Sequence, residues 1–263
     1  MSRSFGCLTA LALAACAAKA GSVSTSTFSP EQRAQIVAVM RDAMKKDPTI
    51  LREAIVELQA DNDRLEARVR HETLSNRQDV LYDAGDPSIG NPHAKTTIVE
   101  FFDPRCPYCK QLAPALTHFV ATHDVRLVYK VFPILGPSSE LAARALLAAA
   151  RQGGYERLRA AIMQGESEDD LTLATIRAAA MKTGLDWQRL SRDMNDPAIA
   201  KQLETDNNLA ADLGIDSTPT IVIGQKIVEG PDLPMIAADV ADANHDRSND
   251  RSKRVTPMST AER

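Results

Sequence analysis

Residues 96–109 constrain this chain more than any other stretch. They read Thr-Thr-Ile-Val-Glu-Phe-Phe-Asp-Pro-Arg-Cys-Pro-Tyr-Cys. The run 96–102 is β-branched or aromatic apart from Glu100, the composition of a buried strand. A short turn follows, and Cys106-Pro107 then opens a helix, because Pro fits the first helical turn. Cys106 is thereby placed at a helix N-terminus. The unpaired N–H groups and the helix dipole there favour a thiolate over a thiol, so its pKa should fall below the free value of about 8.5. Cys109 lies one turn along and faces inward. Cys106 is the expected attacking and leaving sulfur, Cys109 the resolving one. Pro107 and Tyr108, between the sulfurs, should tune the thiolate. The competing reading is half of a zinc site. Zinc needs about four ligands, the sequence has no second Cys-x-x-Cys, and its five His are scattered. The expectation is redox chemistry with no metal and no cofactor.

The elements after this pair define the fold class. A helix runs to about Thr122, then a strand from Val125 to Phe132, closed by Pro133 and Gly136-Pro137. Residues 138–213 are Ala-rich and helical, with breaks near Gly153-Gly154, Gly165, Gly184 and Asp196-Pro197. Thr220–Ile223 and Lys226–Glu229 flank Gly224-Gln225 as a hairpin. Pro234–Ala243 reads as a last helix, and 244–263, polar and aperiodic, as a disordered tail. The order is strand, helix, strand, helical block, two strands, helix. That is an α/β domain over 84–243 with a helical insertion at about 138–213. Glu100 and Lys130 sit in its two apolar strands, where residue type alone suggests that each snorkels to solvent. Thr218-Pro219 precedes a strand, where Pro is tolerated.

The N-terminal part reads separately. Residues 1–20 have Arg3, an apolar run from Phe5 to Ala18, and Ala18-Lys19-Ala20, the pattern of a signal peptide. The run is too short to span a bilayer of about 30 Å. Leu13-Ala14-Ala15-Cys16 also reads as a lipobox, so the exported form is either free or anchored through Cys16. Cleavage after Ala20 removes Cys7 and Cys16 and leaves one Cys pair, which then cycles rather than staples. Residues 28–78 are a helical segment. Ser29-Pro30 starts one helix and Asp47-Pro48 ends it. In the next helix Leu51, Leu58 and Leu65 repeat every seven residues beside Ile55, Asn62 and Val69. This is a short heptad pattern, read either as a helix packed on its own domain or as a self-associating one. A net charge of −4 with no basic block argues against nucleic acid as a partner.

Three runs carry a resemblance: Val-Glu-Phe-Phe-Asp-x-x-Cys-Pro-Tyr-Cys (99–109), Lys-x-Phe-Pro-Ile-Leu-Gly-Pro (130–137) and Leu-Gly-Ile-x-Ser-Thr-Pro-Thr-Ile-Val-Ile-Gly (213–224). Together, in this order, they resemble the DsbA-like thioredoxin-fold proteins of bacterial envelopes, in the branch of the suppressor-of-copper-sensitivity protein C. The segment from Phe28-Ser-Pro onward resembles that branch's N-terminal helices. The resemblance implies a thioredoxin-like fold and a cis-proline loop at Thr218-Pro219 facing the sulfurs, with the Thr218 hydroxyl near the thiolate. It also implies a partly buried Glu100–Lys130 pair beneath the active site, in which Glu100 shuttles the Cys109 proton.

The expected function is thiol–disulfide exchange on exported proteins in the periplasm, recharged by a membrane redox partner. Isomerase or reductase work is slightly favoured over oxidase work, because isomerases need several catalytic domains around one cleft and the heptads suggest a homo-oligomer. The resemblance implies a trimer, while Asn62 at an a position favours a dimer. The alternative is a copper-binding or holding protein using the same two thiols as soft ligands.

Overall fold

The computed structural model describes residues 28–164 and 171–254, with side chains as far as 245. The signal-peptide reading, Cys7, Cys16, the break at Gly165 and residues 255–263 lie outside the described residues. The chain divides into two units, Met1–Asn62 and Asp63–Arg263.

The described part of the first unit is helical. Ser29 caps α1 (Pro30–Lys46) through a full capping box: its hydroxyl accepts from the Gln32 N–H, and the Gln32 side chain accepts from the Ser29 N–H at 2.8 Å. Asp47 ends α1 and its carboxylate accepts from the Thr49 N–H at 3.0 Å. That bond starts α2 (Thr49–Asn76), a 28-residue helix that continues into the second unit. No residue of α1 is buried, and in α2 only Leu74 is. Leu51, Ile55, Leu58, Leu65 and Val69 are 47–61% exposed. The heptad stripe is therefore a bare apolar surface of this chain.

The second unit runs α3 (Gln78–Leu81), β1 (Ser88–Gly90), β2 (Thr96–Phe102), α4 (Pro107–Thr122), β3 (Val125–Val131), α5 (Pro137–Ala150), α6 (Tyr155–Met163), α7 (Leu173–Lys182), α8 (Trp187–Asp193), α9 (Pro197–Asp212), β4 (Thr220–Ile223), β5 (Lys226–Glu229) and α10 (Leu233–Arg254). The sheet order is β1-β3-β2-β4-β5. β2 and β3 are parallel, as strands joined by a crossover helix must be; the other pairs are antiparallel. β1 lies in a stretch whose Gly and Pro read as turn. It ends at Gly90, whose φ is +87° and where a Cβ would stand 2.3 Å from the Val125 carbonyl oxygen. Only Gly fits that close approach.

Strand alternation splits the core in two. Ile98, Phe102, Leu127 and Tyr129 join the residues of α4, α5, α6 and α10 on one face. Val99, Phe101 and Val128 meet Leu74, Leu81, Leu209 and Leu213 on the other. The Ala run of α5 is buried along with Leu146 and Leu147, since small side chains let neighbouring helices approach. One expectation fails at the C-terminus: 244–254 is not a disordered tail but the continuation of α10. Asp, Asn and Ser weaken the apolar period there without breaking the helix, because no Pro or Gly occurs between Leu233 and Arg254 apart from Pro234 in the first turn.

Candidate active site

Cys106 is the N-cap residue of α4 and Pro107 its first helical residue. The loop that presents Cys106 is held by Asp103, which is fully buried. Its carboxylate accepts from the Arg105 N–H at 2.7 Å, the Leu135 N–H at 2.9 Å and the Ser139 hydroxyl at 2.7 Å, and its carbonyl accepts from the Cys106 N–H at 3.1 Å. One side chain thus ties the Cys106 turn to the loop after β3 and to α5. Asp103 is a functional residue that sequence reasoning missed. An Asp followed by Pro was its only signal, the mark of a side chain that closes a turn.

The two thiols are unbridged and buried. The Thr218–Pro219 peptide is cis and its Thr218 side meets Cys106. In its thiol form Cys106 donates to the Thr218 carbonyl at 3.2 Å. As a thiolate it is stabilised first by the Cys109 S–H, then by the Thr218 side chain and the N–H groups of Cys109 and Tyr108. These outweigh burial and bring its pKa down to about 6. Cys109 goes the other way. Burial, its bond to Cys106 and the nearby Glu100 carboxyl push its pKa far up. The pair is thus split into one thiolate and one retained thiol, the condition for separate attacking and resolving roles. Tyr108 is exposed, as are Ile134 and Leu135 in the loop that Asp103 holds.

Glu100 and Lys130 do not form the expected pair. In the parallel register Glu100 sits opposite Tyr129, and Lys130 opposite Phe101. The two side chains therefore leave opposite faces of the sheet. Glu100 points to the face of the sulfurs and pairs with Arg159 of α6, Nη2 to Oε2 at 3.2 Å. Burial pushes its carboxyl up, with Arg159 opposing. Lys130 points the other way. It pairs with Asp86 and with Asp206 of α9, the latter at 3.0 Å, and donates to the Val80 carbonyl at 2.7 Å. Lys130 therefore has no direct contact with the sulfurs. Among the described residues no group of three or more His, Cys, Asp or Glu could hold a metal ion.

Known proteins bear on this geometry. Residues 83–235 match the family described as Thioredoxin, and residues 32–70 match the one described as Copper resistance protein ScsC N-terminal domain. The thioredoxin-like oxidoreductase from Silicibacter pomeroyi DSS-3 is 36% identical with a TM-score of 0.60, over 64% of this chain and 97% of that one. Proteus mirabilis ScsC, in a transitional conformation, is 30% identical with a TM-score of 0.59, over 82% of this chain and 97% of that one. The Na(+)/H(+) antiporter NhaA 3 of Salinispora tropica is 29% identical over 145 residues, 54% of this chain. The chain spans 22% of the length of that antiporter. A helix-capping Cys-Pro-Tyr-Cys under a cis-proline loop, the sheet that carries it and the N-terminal helices fit one conclusion: the chain belongs to the thioredoxin family, in its DsbA-like, ScsC-like branch.

Proposed function

We propose that the chain is a thiol–disulfide oxidoreductase acting on exported proteins, working as an isomerase or reductase more than as an oxidase. The observation that carries this reading is the split between Cys106, lowered to about 6, and Cys109, held as a thiol beneath it. A client disulfide is attacked by the Cys106 thiolate; the client's leaving sulfur departs and a mixed disulfide forms. Release to a client thiolate that attacks the client sulfur gives isomerisation. Release by Cys109 gives reduction of the client and oxidation of the pair. In that second route Glu100, whose charge acts on Cys109, takes the Cys109 proton. The exposed Tyr108, Ile134 and Leu135 supply an apolar rim for an unfolded client.

The degree of thiolate stabilisation bears on direction. Strongly oxidising pairs have a nucleophile pKa of about 3.5 and reducing ones about 7. Cys106, lowered to about 6, lies between these two, and the isomerase side of the reading rests on the apolar helical stripe at 51–69. Export follows from the reading of residues 1–20, with the periplasm as the compartment, a membrane redox partner to reset the pair and a homo-oligomer built by residues 28–78.

Thiol trapping of Cys106 and Cys109 in growing cells, with refolding of a scrambled disulfide substrate in vitro, tests the direction. A resident dithiol and active unscrambling are expected; a resident disulfide without unscrambling makes the chain an oxidase. Copper holding is the second reading, favoured by the description of the family that residues 32–70 match. Titration of the reduced protein with Cu(I) separates it from the first.

A further inference from the structure

Cys109 and Glu100 have no solvent exposure at all. If the pair exchanges disulfides as proposed above, a proton must still travel between Cys109 and bulk water. Glu100 only moves the problem one step, so the way out has to be built from groups behind it.

Those groups come from β3 and α6. Tyr129 lies beside Glu100 in the sheet register, and α6 brings Tyr155, Glu156 and Arg159 to the same place. The Arg159 guanidinium is 3.2 Å from Glu100 Oε2 and 3.8 Å from Glu156 Oε2. It also lies over the Tyr129 ring, 4.3 Å from the centroid. Around it, Glu100 Oε1, Tyr155 Oη and Arg159 Nε are buried without a hydrogen-bond partner among the described residues, and the Tyr129 hydroxyl and the Glu156 carboxyl are buried within reach of each other. Buried polar atoms in folded proteins are nearly always bonded to protein or to ordered water. Three unpartnered polar atoms around one guanidinium mark a place for water. A cavity of about 220 Å³ opens beside them, lined by Lys110, Pro114 and Thr117 of α4 and by Glu156 and Arg159 of α6. It has room for several waters. The Glu156 side chain is about one-third exposed, whereas Arg159 is buried. Glu156 is thus the member of the cluster that reaches both the orphans and the solvent side of this cavity.

We propose that Glu156 is the outer station of a proton path that runs from Cys109 through Glu100 into the cavity between α4 and α6. Arg159 is the fixed charge that orients the two carboxylates; being always protonated, it relays nothing itself. When Cys109 resolves a mixed disulfide, its sulfur bonds to Cys106. The Cys106–client bond breaks and the client leaves with the electron pair as a thiolate. The Cys109 proton passes to Glu100, then through water to Glu156 and out. When the pair is reduced, the same proton returns to Cys109. The titratable and charged groups facing Glu100 are Cys109 from α4, Tyr129 from β3, and Tyr155, Glu156 and Arg159 from α6. Burial and the negative charge of Glu156 both hold the Glu100 carboxyl up, which suits a group that accepts a proton. Glu156 acts through Glu100 and is a positioning residue.

The experiment uses the full-length reduced protein and 5,5′-dithiobis(2-nitrobenzoate) in a stopped-flow mixer. The first thionitrobenzoate reports attack by Cys106, the second reports resolution by Cys109. Glu156→Gln should leave the first release unchanged and slow the second about tenfold or more, less than the roughly hundredfold that a positioned acid or base at the reacting atoms contributes, because Glu156 acts through Glu100. The pH profile of the second release should flatten, formate buffer should restore it, and Glu156→Asp should retain most of it. In the unmutated protein the second release should also slow in heavy water, a readout that needs no variant. A second release at the original rate in Glu156→Gln, equal slowing of both releases, or no heavy-water effect would each overturn the proposal. Absence of the first release from the unmutated protein would instead sink the thiol-exchange reading on which it rests.

Discussion

Cys106 owes its character to position more than to type. A thiol at the first turn of α4 meets two backbone N–H groups, the Cys109 S–H and the Thr218 side chain, and the sum brings it to about 6. Two outcomes follow. Thiolate absorbance of the reduced protein should titrate with a midpoint near that value, and the rate of attack on a disulfide should fall about tenfold per pH unit below it. Cys106→Ser should abolish exchange, and Cys109→Ser should accumulate mixed disulfides with clients; exchange retained in Cys106→Ser would reverse the roles. The same shift links to stability. The folded pKa is depressed, so the thiolate stabilises the reduced native state fully above the unfolded value of about 8.5. That stabilisation is lost as pH falls through about 6. Urea unfolding of the reduced protein and of Cys106→Ser, followed across this window, should show a stability gap that grows with pH. A gap independent of pH would mean that the thiolate is not specially held.

The elements show why the Glu100–Lys130 pair implied by the resemblance does not form. Residue type alone suggests that Glu100 and Lys130 each snorkel to solvent, and the resemblance alone implies that they pair across neighbouring strands. Whether they meet depends on register, and a one-residue offset moves a side chain to the other face. The partners they do find, Arg159 in α6 and Asp206 in α9, come from the helical insertion. There the sequence offers Ala-rich periodicity and no mark of which charged residue turns inward. The strand, the helix start and the Cys pair were legible because each rests on local chemistry: β-branched runs, Pro at the first turn, Cys at the cap. Asp103, β1 and the length of α10 were not, since a buried carboxylate clamp, a three-residue strand and a polar helix carry little local signal. Lys130 now has a structural task, joining α3, the loop before β1 and α9 to the sheet. Lys130→Met leaves two buried carboxylates without their cation and should cost about 3–5 kcal/mol in chemical unfolding. The Cys106 titration should not move, because the change lies on the far face. A moved midpoint at unchanged stability would return Lys130 to the active site.

At the scale of the molecule, the feature that demands a partner is the apolar stripe of α2. Leu51, Ile55, Leu58, Leu65 and Val69 each keep about half or more of their surface in contact with solvent, and Ile36, Val39 and Met40 of α1 do much the same. Helices in proteins draw most of their stability from packing an apolar face rather than from propensity. Contiguous apolar surface on this scale marks an interface. A heptad stripe is self-complementary, so a second copy of the chain is the simplest cover, with Asn62 favouring two strands and the resemblance to the ScsC branch favouring three. The thiol pair does not need this surface to reduce a disulfide. Shuffling several wrong disulfides in one client does benefit from more than one site. Light scattering of the full-length protein at micromolar concentration should therefore give an oligomer. Leu51→Lys, Leu58→Lys and Leu65→Lys together place charge along the seam without touching Leu74, which belongs to the core of the second unit. This triple variant should be a monomer that reduces insulin at the original rate per pair and no longer unscrambles disulfides. A monomeric full-length protein, or a monomeric variant that unscrambles as well as the original, would remove self-association from the account and leave the two helices to a different partner.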